Sequence, residues 1–260
     1  MSEKFSLPEK LFSTQEEKSS PKGLWEKLGN AYYLPLHREI LTVFARCGDC
    51  DDYYKLCGEW HRFCRDEKHP VFEFLNQEYI EALTNYLEQR TKELQKTVSE
   101  LITILEVGAG DGRLTHFLGQ KLEEKGISVK MIATDTGEEG VESVFPVETL
   151  SYKEALRKYN PTIVIACWMP MKQDWTAEFR ATQSVQEYLL IGEKDMGCCG
   201  DEWLTWGRDW LPGLEGKTPP YEADGFERYD LSEISKLQIA RSDRPGEYGQ
   251  SHTVSFRRRK

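Results

Sequence analysis

Leu101-Ile102-Thr103-Ile104-Leu105-Glu106-Val107-Gly108-Ala109-Gly110-Asp111-Gly112 is the stretch on which the fold turns. Its first seven residues are mostly apolar and partly β-branched, the pattern of a short strand buried on both faces. The three alternating glycines let the backbone turn sharply and lie against a ligand with no Cβ in between. A helical pattern follows over 113–125 and closes at Gly126. A helix start presents free N–H groups and the positive end of the helix dipole. Strand, bare turn and helix together suit a ligand carrying a carboxylate or a phosphate.

Downstream, short apolar runs at 129–134, 147–150, 162–166 and 187–192 read as further strands, with a helix over 153–159. Segments 237–240 and 252–256 read as strands that close the sheet. Strands alternating with helices predict an α/β fold with a mostly parallel sheet covered on both faces. Upstream, residues 1–22 are polar and read as a flexible leader. Residues 23–100 read as an N-terminal helical segment, clearest over 74–94, and residues 101–260 as the sheet domain.

Asp135 ends the second strand, 23 residues after Gly112. An acid at that place accepts hydrogen bonds from ribose hydroxyls. A dinucleotide loop needs a third glycine where this chain has Arg113, which disfavours a nicotinamide-dependent oxidoreductase. Glycines at alternate positions after an acid, with Asp135 one strand over, resemble class I S-adenosylmethionine (SAM)-dependent methyltransferases from about Tyr79 to the C-terminus. The resemblance implies a Rossmann-like seven-stranded sheet with an N-terminal helical cap. It further implies a cofactor-binding set of Glu106, Gly108, Ala109, Gly110, Gly112, Asp135, Thr136, Leu150, Ser151 and Cys167. Ser151 stands where an acid often holds the adenine, and Cys167 where base- and amide-modifying members carry Asn or Asp.

The implied activity is methyl transfer to a small molecule or a protein side chain, with S-adenosyl-L-methionine as cofactor. The alternative is a SAM-binding subunit without catalysis. Acceptors lie beyond the C-terminal ends of strands four and five in such folds. The candidates there are Trp168, Met169, Trp175 and Glu193, joined by Tyr79 from the helical segment. Trp60 and His61 face the cleft if that segment serves as a lid. Trp203, Trp206 and Trp210 would share a helix face, either caging a cation or packing the core. Glu193 and Asp195 are candidate bases or cation-binding acids, a solvated loop being the preferred reading, and no general base is assigned.

The net charge of −10 disfavours nonspecific contact with nucleic acid and suits a cationic partner. The tail Arg257-Arg258-Arg259-Lys260 reads as a solvated end. With neither an apolar leader nor a membrane-length run, the chain reads as cytoplasmic, with the nucleus as a second compartment, and its seven cysteines as reduced thiols. Cys47, Cys50, Cys57, His61 and Cys64 have spacings that suit zinc, yet Cys57, His61 and Cys64 also fit one helix face. No metal is assigned.

Overall fold

The structure is a computed structural model that describes residues 21–48, 53–195, 197–208, 213–214, 216–243 and 249–259. Its centre is a seven-stranded sheet in the order β3-β2-β1-β4-β5-β7-β6. The strands are β1 (Thr103–Val107), β2 (Lys130–Asp135), β3 (Glu148–Thr149), β4 (Ile163–Cys167), β5 (Glu187–Glu193), β6 (Phe226–Asp230) and β7 (Ser251–Arg258). β1 pairs in parallel with both β2 and β4, whereas β7 runs antiparallel between β5 and β6. This is the arrangement the methyltransferase resemblance implies, and the expected α/β class stands.

Side chains alternate across a strand, so each central strand feeds two cores. Ile104, Ile163, Ile165, Leu189 and Ile191 face one way. There they meet α4 (Gln77–Leu94) through Tyr79, Ile80, Leu83 and Leu87, and α5 (Arg113–Glu124) through Leu114, Leu118 and Leu122. Leu105, Val107, Val164, Ala166, Tyr188 and Leu190 face the other way. That side is covered by α6 (Tyr152–Tyr159), α7 (Thr176–Ala181) and α8 (Pro220–Ala223). α4 thus belongs to the sheet layers, although it precedes residue 101.

The cap proper is α1 (Pro21–Gly29), α2 (His37–Gly48) and α3 (Tyr53–Cys64). Its own core joins Leu28, Ile40, Trp60, Cys64, Val71 and Phe74 to Ile239. Residues 1–20 lie outside the described residues, and so does most of the expected leader.

Two expectations about the sheet need correction. The segment 237–240 is not a sheet strand. It is a strap that meets the cap at one isolated bridge, Glu73 to Ala240. Around that bridge Phe74 N donates to Ile239 O at 2.8 Å and Arg241 N to Phe72 O at 3.0 Å. Ile239 packs in the cap core and Leu237 against the core beneath α4 and α5, which gives the segment strand-like composition without strand pairing. The sixth strand is instead Phe226–Asp230, whose polar sequence suits a sheet edge with one buried anchor, Phe226. The basic tail is not a solvated end either. Arg257 and Arg258 lie in β7, and Arg258 donates to the carbonyls of Arg180, Thr182 and Val185. The guanidinium thereby ties β7 to the turn after α7, where Thr182 O also accepts from Val185 N.

Candidate cofactor and acceptor site

β1 is flanked by β2 and β4, so its C-terminal end opens at the point where the strand order reverses. Gly108, Gly110 and Gly112 there have φ of 66°, 55° and 83°, a region that side chains with a Cβ rarely enter. The turn is pinned by Ala109 N donating to Thr134 O and Gly112 N to Ala109 O, both at 3.0 Å. A Cβ on Gly112 would sit 2.8 Å from Val147 Cγ2, whereas one on Gly110 would meet only Val141 at 3.8 Å. The hairpin is therefore closed on its Gly112 side and bare at Gly110.

Asp135 ends β2 beside this hairpin. Its Oδ2 accepts from Gly110 N at 2.9 Å and its Oδ1 from Gly137 N at 2.8 Å. One carboxylate thus ties the glycine turn to the next strand and keeps lone pairs for hydroxyl donors. Thr136 is exposed, and its hydroxyl accepts from Glu138 N. Leu150 N donates to Asp135 O, which brings the end of β3 alongside. Ser151 is the N-cap of α6 in a reciprocal capping box with Glu154.

Glu106 is 2 % exposed. Its Oε2 accepts from Thr115 N at 3.0 Å and Thr115 Oγ1 at 2.5 Å, so the carboxyl anchors the first turn of α5 to β1. Burial pushes it up to about 7, against those two donors.

Beyond β4, Cys167 is held well above its usual value, first by burial and then by the charges of Glu73, Glu106 and Asp111. Trp168 follows with φ 56°, a strained setting for a bulky residue. Met169 is buried in the core. Trp175 lies over the glycine turn: its ring edge is 3.0 Å from where a Cβ on Gly108 would be. It also stacks on Tyr152, centroids 5.1 Å apart. Glu193 ends β5, and its Oε2 accepts from Cys198 N.

The residues assigned to the lid go different ways. Tyr79 is fully buried and its hydroxyl pairs with Thr253 Oγ1 at 2.9 Å. Trp60 stacks on Phe74 inside the cap core, centroids 4.3 Å apart, and His61 is exposed. Trp203 and Trp206 lie in a run of turns rather than a helix, and Trp206 is buried with its Nε1 donating to Cys199 O. Trp210 falls outside the described residues. So do Cys50 and the side chains of Cys47 and Cys57. Burial pushes the Cys64 thiol up to about 12. Among the described residues no three metal-ligating side chains gather, and no helix is long and apolar enough to cross a membrane.

Glu73, which the sequence reading did not select, sits at the same end of the sheet. It is 8 % exposed. Its Oε2 accepts from Ser251 Oγ at 2.6 Å and Trp168 Nε1 at 3.0 Å, and its Oε1 from Gln238 Nε2 at 3.3 Å. Burial pushes it up to about 7 despite these donors. The signal was present in Val71-Phe72-Glu73-Phe74-Leu75, an acid inside an apolar run, which folding must bury and satisfy.

The bare backbone at Gly110 and the carboxylate of Asp135 fit an adenosyl amino acid: an anionic end over the glycine turn and a ribose at the acid. No family profile matches the chain, and no curated protein matches it in sequence. Among solved structures it is similar to the DszA carbon methyltransferase at 15 % identity and TM-score 0.40, covering 70 % of this chain and 55 % of that one. It is similar to the CMeT domain of the citrinin polyketide synthase at 17 % identity and TM-score 0.41, covering 71 % and 53 %. It is also similar to the ribosomal protein L11 methylase of Lactobacillus delbrueckii subsp. bulgaricus at 13 % identity and TM-score 0.31, covering 68 % and 80 %. The matched part is thus little more than half of each of the first two chains.

Proposed function

We propose that the chain binds S-adenosylmethionine at the end of β1 and transfers its methyl group to a small molecule or a protein side chain. The observation that carries this reading is the positive-φ glycine turn whose Gly110 N–H is bound by Asp135. When bound, the cofactor supplies a methyl group made electrophilic by its sulfonium. Gly108, Gly110 and Gly112 keep side chains out of the backbone's way, and Asp135 offers its carboxylate to the ribose hydroxyls. Glu106 holds the start of α5 in place by accepting from Thr115 N.

Calorimetry with SAM and S-adenosylhomocysteine tests the reading. Both should bind to the wild type, and Asp135→Ala should weaken S-adenosylhomocysteine by about tenfold or more, the worth of one charged hydrogen-bonding group. No heat with either ligand would remove it. A second reading, a SAM-binding subunit without catalysis, is favoured by one feature, the uncharged thiol of Cys167 at the end of β4. Binding without any release of S-adenosylhomocysteine would select it.

A further inference from the structure

The end of β4 has a second resident besides the glycine turn. Glu73 comes from the cap, yet its carboxyl is gripped by groups from three other parts of the chain. Trp168 follows β4, Ser251 opens β7, and Gln238 belongs to the strap. Ser251 pairs with Glu193 at the end of β5. The carboxyl therefore lies over the ends of β4 and β5, where the rule for open α/β sheets puts an acceptor. The other titratable groups facing it are Asp243 from the turn after the strap, Tyr79 from α4 and Cys167 from β4. All three are acids, and Arg113, the cation that shares a cavity with Glu73, is paired with Asp111. Arg113 lines a cavity of about 20 Å³ together with Glu73, Leu75 and Phe117, room for about one water.

A buried carboxyl with donors that favour its charged form, and burial that favours its neutral form, is suited to take and release a proton near neutrality. Among the described residues the Cys167 thiol is held neutral, and Glu106, although also raised by burial, sits in β1 and is tied to the first turn of α5 through Thr115.

We infer that Glu73 is the proton acceptor of the methyl transfer, and that the methyl acceptor carries a hydroxyl or N–H group that loses its proton on methylation. The inference rests on the transferase reading above. As the acceptor's oxygen or nitrogen bonds to the methyl carbon, the carbon–sulfur bond breaks and its electron pair stays on sulfur. The acceptor's proton passes to the Glu73 carboxylate, directly or through one water, and then to solvent. Trp168 acts as a positioning residue, since its indole N–H stabilises the carboxylate form.

The test uses the full chain with methyl-labelled SAM and the small-molecule and protein fractions of a cell extract, with tandem mass spectrometry separating O-methyl from N-methyl products. It is paired with carboxyl ¹³C NMR, in which the Glu73 resonance is the one lost in Glu73→Gln. The expected results agree with one another. Glu73 titrates near 7, and higher in Trp168→Phe, which removes a donor to the charged form. Methyl transfer rises through the same midpoint in each protein. Glu73→Gln loses about a hundredfold in rate or more with a flat pH profile, while its affinity for S-adenosylhomocysteine stays within about twofold, RT ln 2 or less. Glu73 titrating as an ordinary carboxylate, or Glu73→Gln transferring like the wild type, overturns this inference alone. A wild type that binds no S-adenosylhomocysteine or labels neither fraction overturns the transferase reading, and this inference with it.

Discussion

A methyl group added at Gly112 would meet Val147 Cγ2 at 2.8 Å on a backbone with φ 83°. Overpacking and the left-handed conformation add, so Gly112→Ala should cost about 2–4 kcal/mol, read by urea denaturation. A loss below about 0.5 kcal/mol, the ordinary range for surface changes, would show that the turn is looser than described. At the same scale, Glu73 and Glu106 are both pushed up from 4.5 to about 7 by burial. Between those values the folded chain keeps protons that the unfolded chain has released. Their contribution to stability is complete below about 4.5 and is lost as pH rises through about 7. Each group then sets a slope of at most about 1.4 kcal/mol per pH unit. Glu106→Gln should flatten the fall in stability across that window; an unchanged slope would mean that Glu106 titrates like an exposed carboxylate.

Among the elements, α6 depends on its start. Ser151 accepts from Glu154 N while Glu154 reaches back to Ser151 N, so Ser151→Ala should cost about 1 kcal/mol in thermal or urea unfolding. Because the hydroxyl is committed to that cap, affinity for S-adenosylhomocysteine should change less than about twofold, under about 0.5 kcal/mol. A larger change would assign Ser151 to the adenine. On β7, Arg258 satisfies the carbonyls of Arg180, Thr182 and Val185. Arg258→Ala removes those donors, leaving Thr182 O only its bond from Val185 N, and should cost about 1.5–3 kcal/mol. No measurable loss would return Arg258 to the role of a solvated tail.

For the molecule as a whole, the question is how a cap with its own core stays on a sheet domain. The strap answers it. Ile239 enters the cap core, Asn76 Nδ2 donates to Leu237 O, and Trp60 Nε1 donates to Arg241 O. Removing the indole by Trp60→Ala opens a large cavity and cuts one tie, at a cost of about 3–5 kcal/mol. Since the cap also carries Glu73 to the strand ends, cap and sheet should unfold in one transition followed equally by fluorescence and circular dichroism. Two separated transitions would show that the cap docks independently.

The glycine turn, its strand and its acid were legible in sequence because local rules govern them. Three glycines after a β-branched run admit one kind of backbone, and Asp135 follows at the distance a strand–helix–strand unit demands. Strands β1, β4 and β5 could be read within a residue or two, since burial on both faces leaves continuous apolar runs, and the half-buried β2 from its Met131-Ile132-Ala133 run. Strand β6 could not, because an edge strand needs only Phe226 buried, and 237–240 misled because apolar residues suit a strap under a cap as well as a strand. Only the tertiary structure brought Glu73 to Trp168, Gln238 and Ser251, partners 95, 165 and 178 residues away in the chain. A buried carboxyl is satisfied by whatever donors the completed fold carries to it, and no local pattern encodes which those will be.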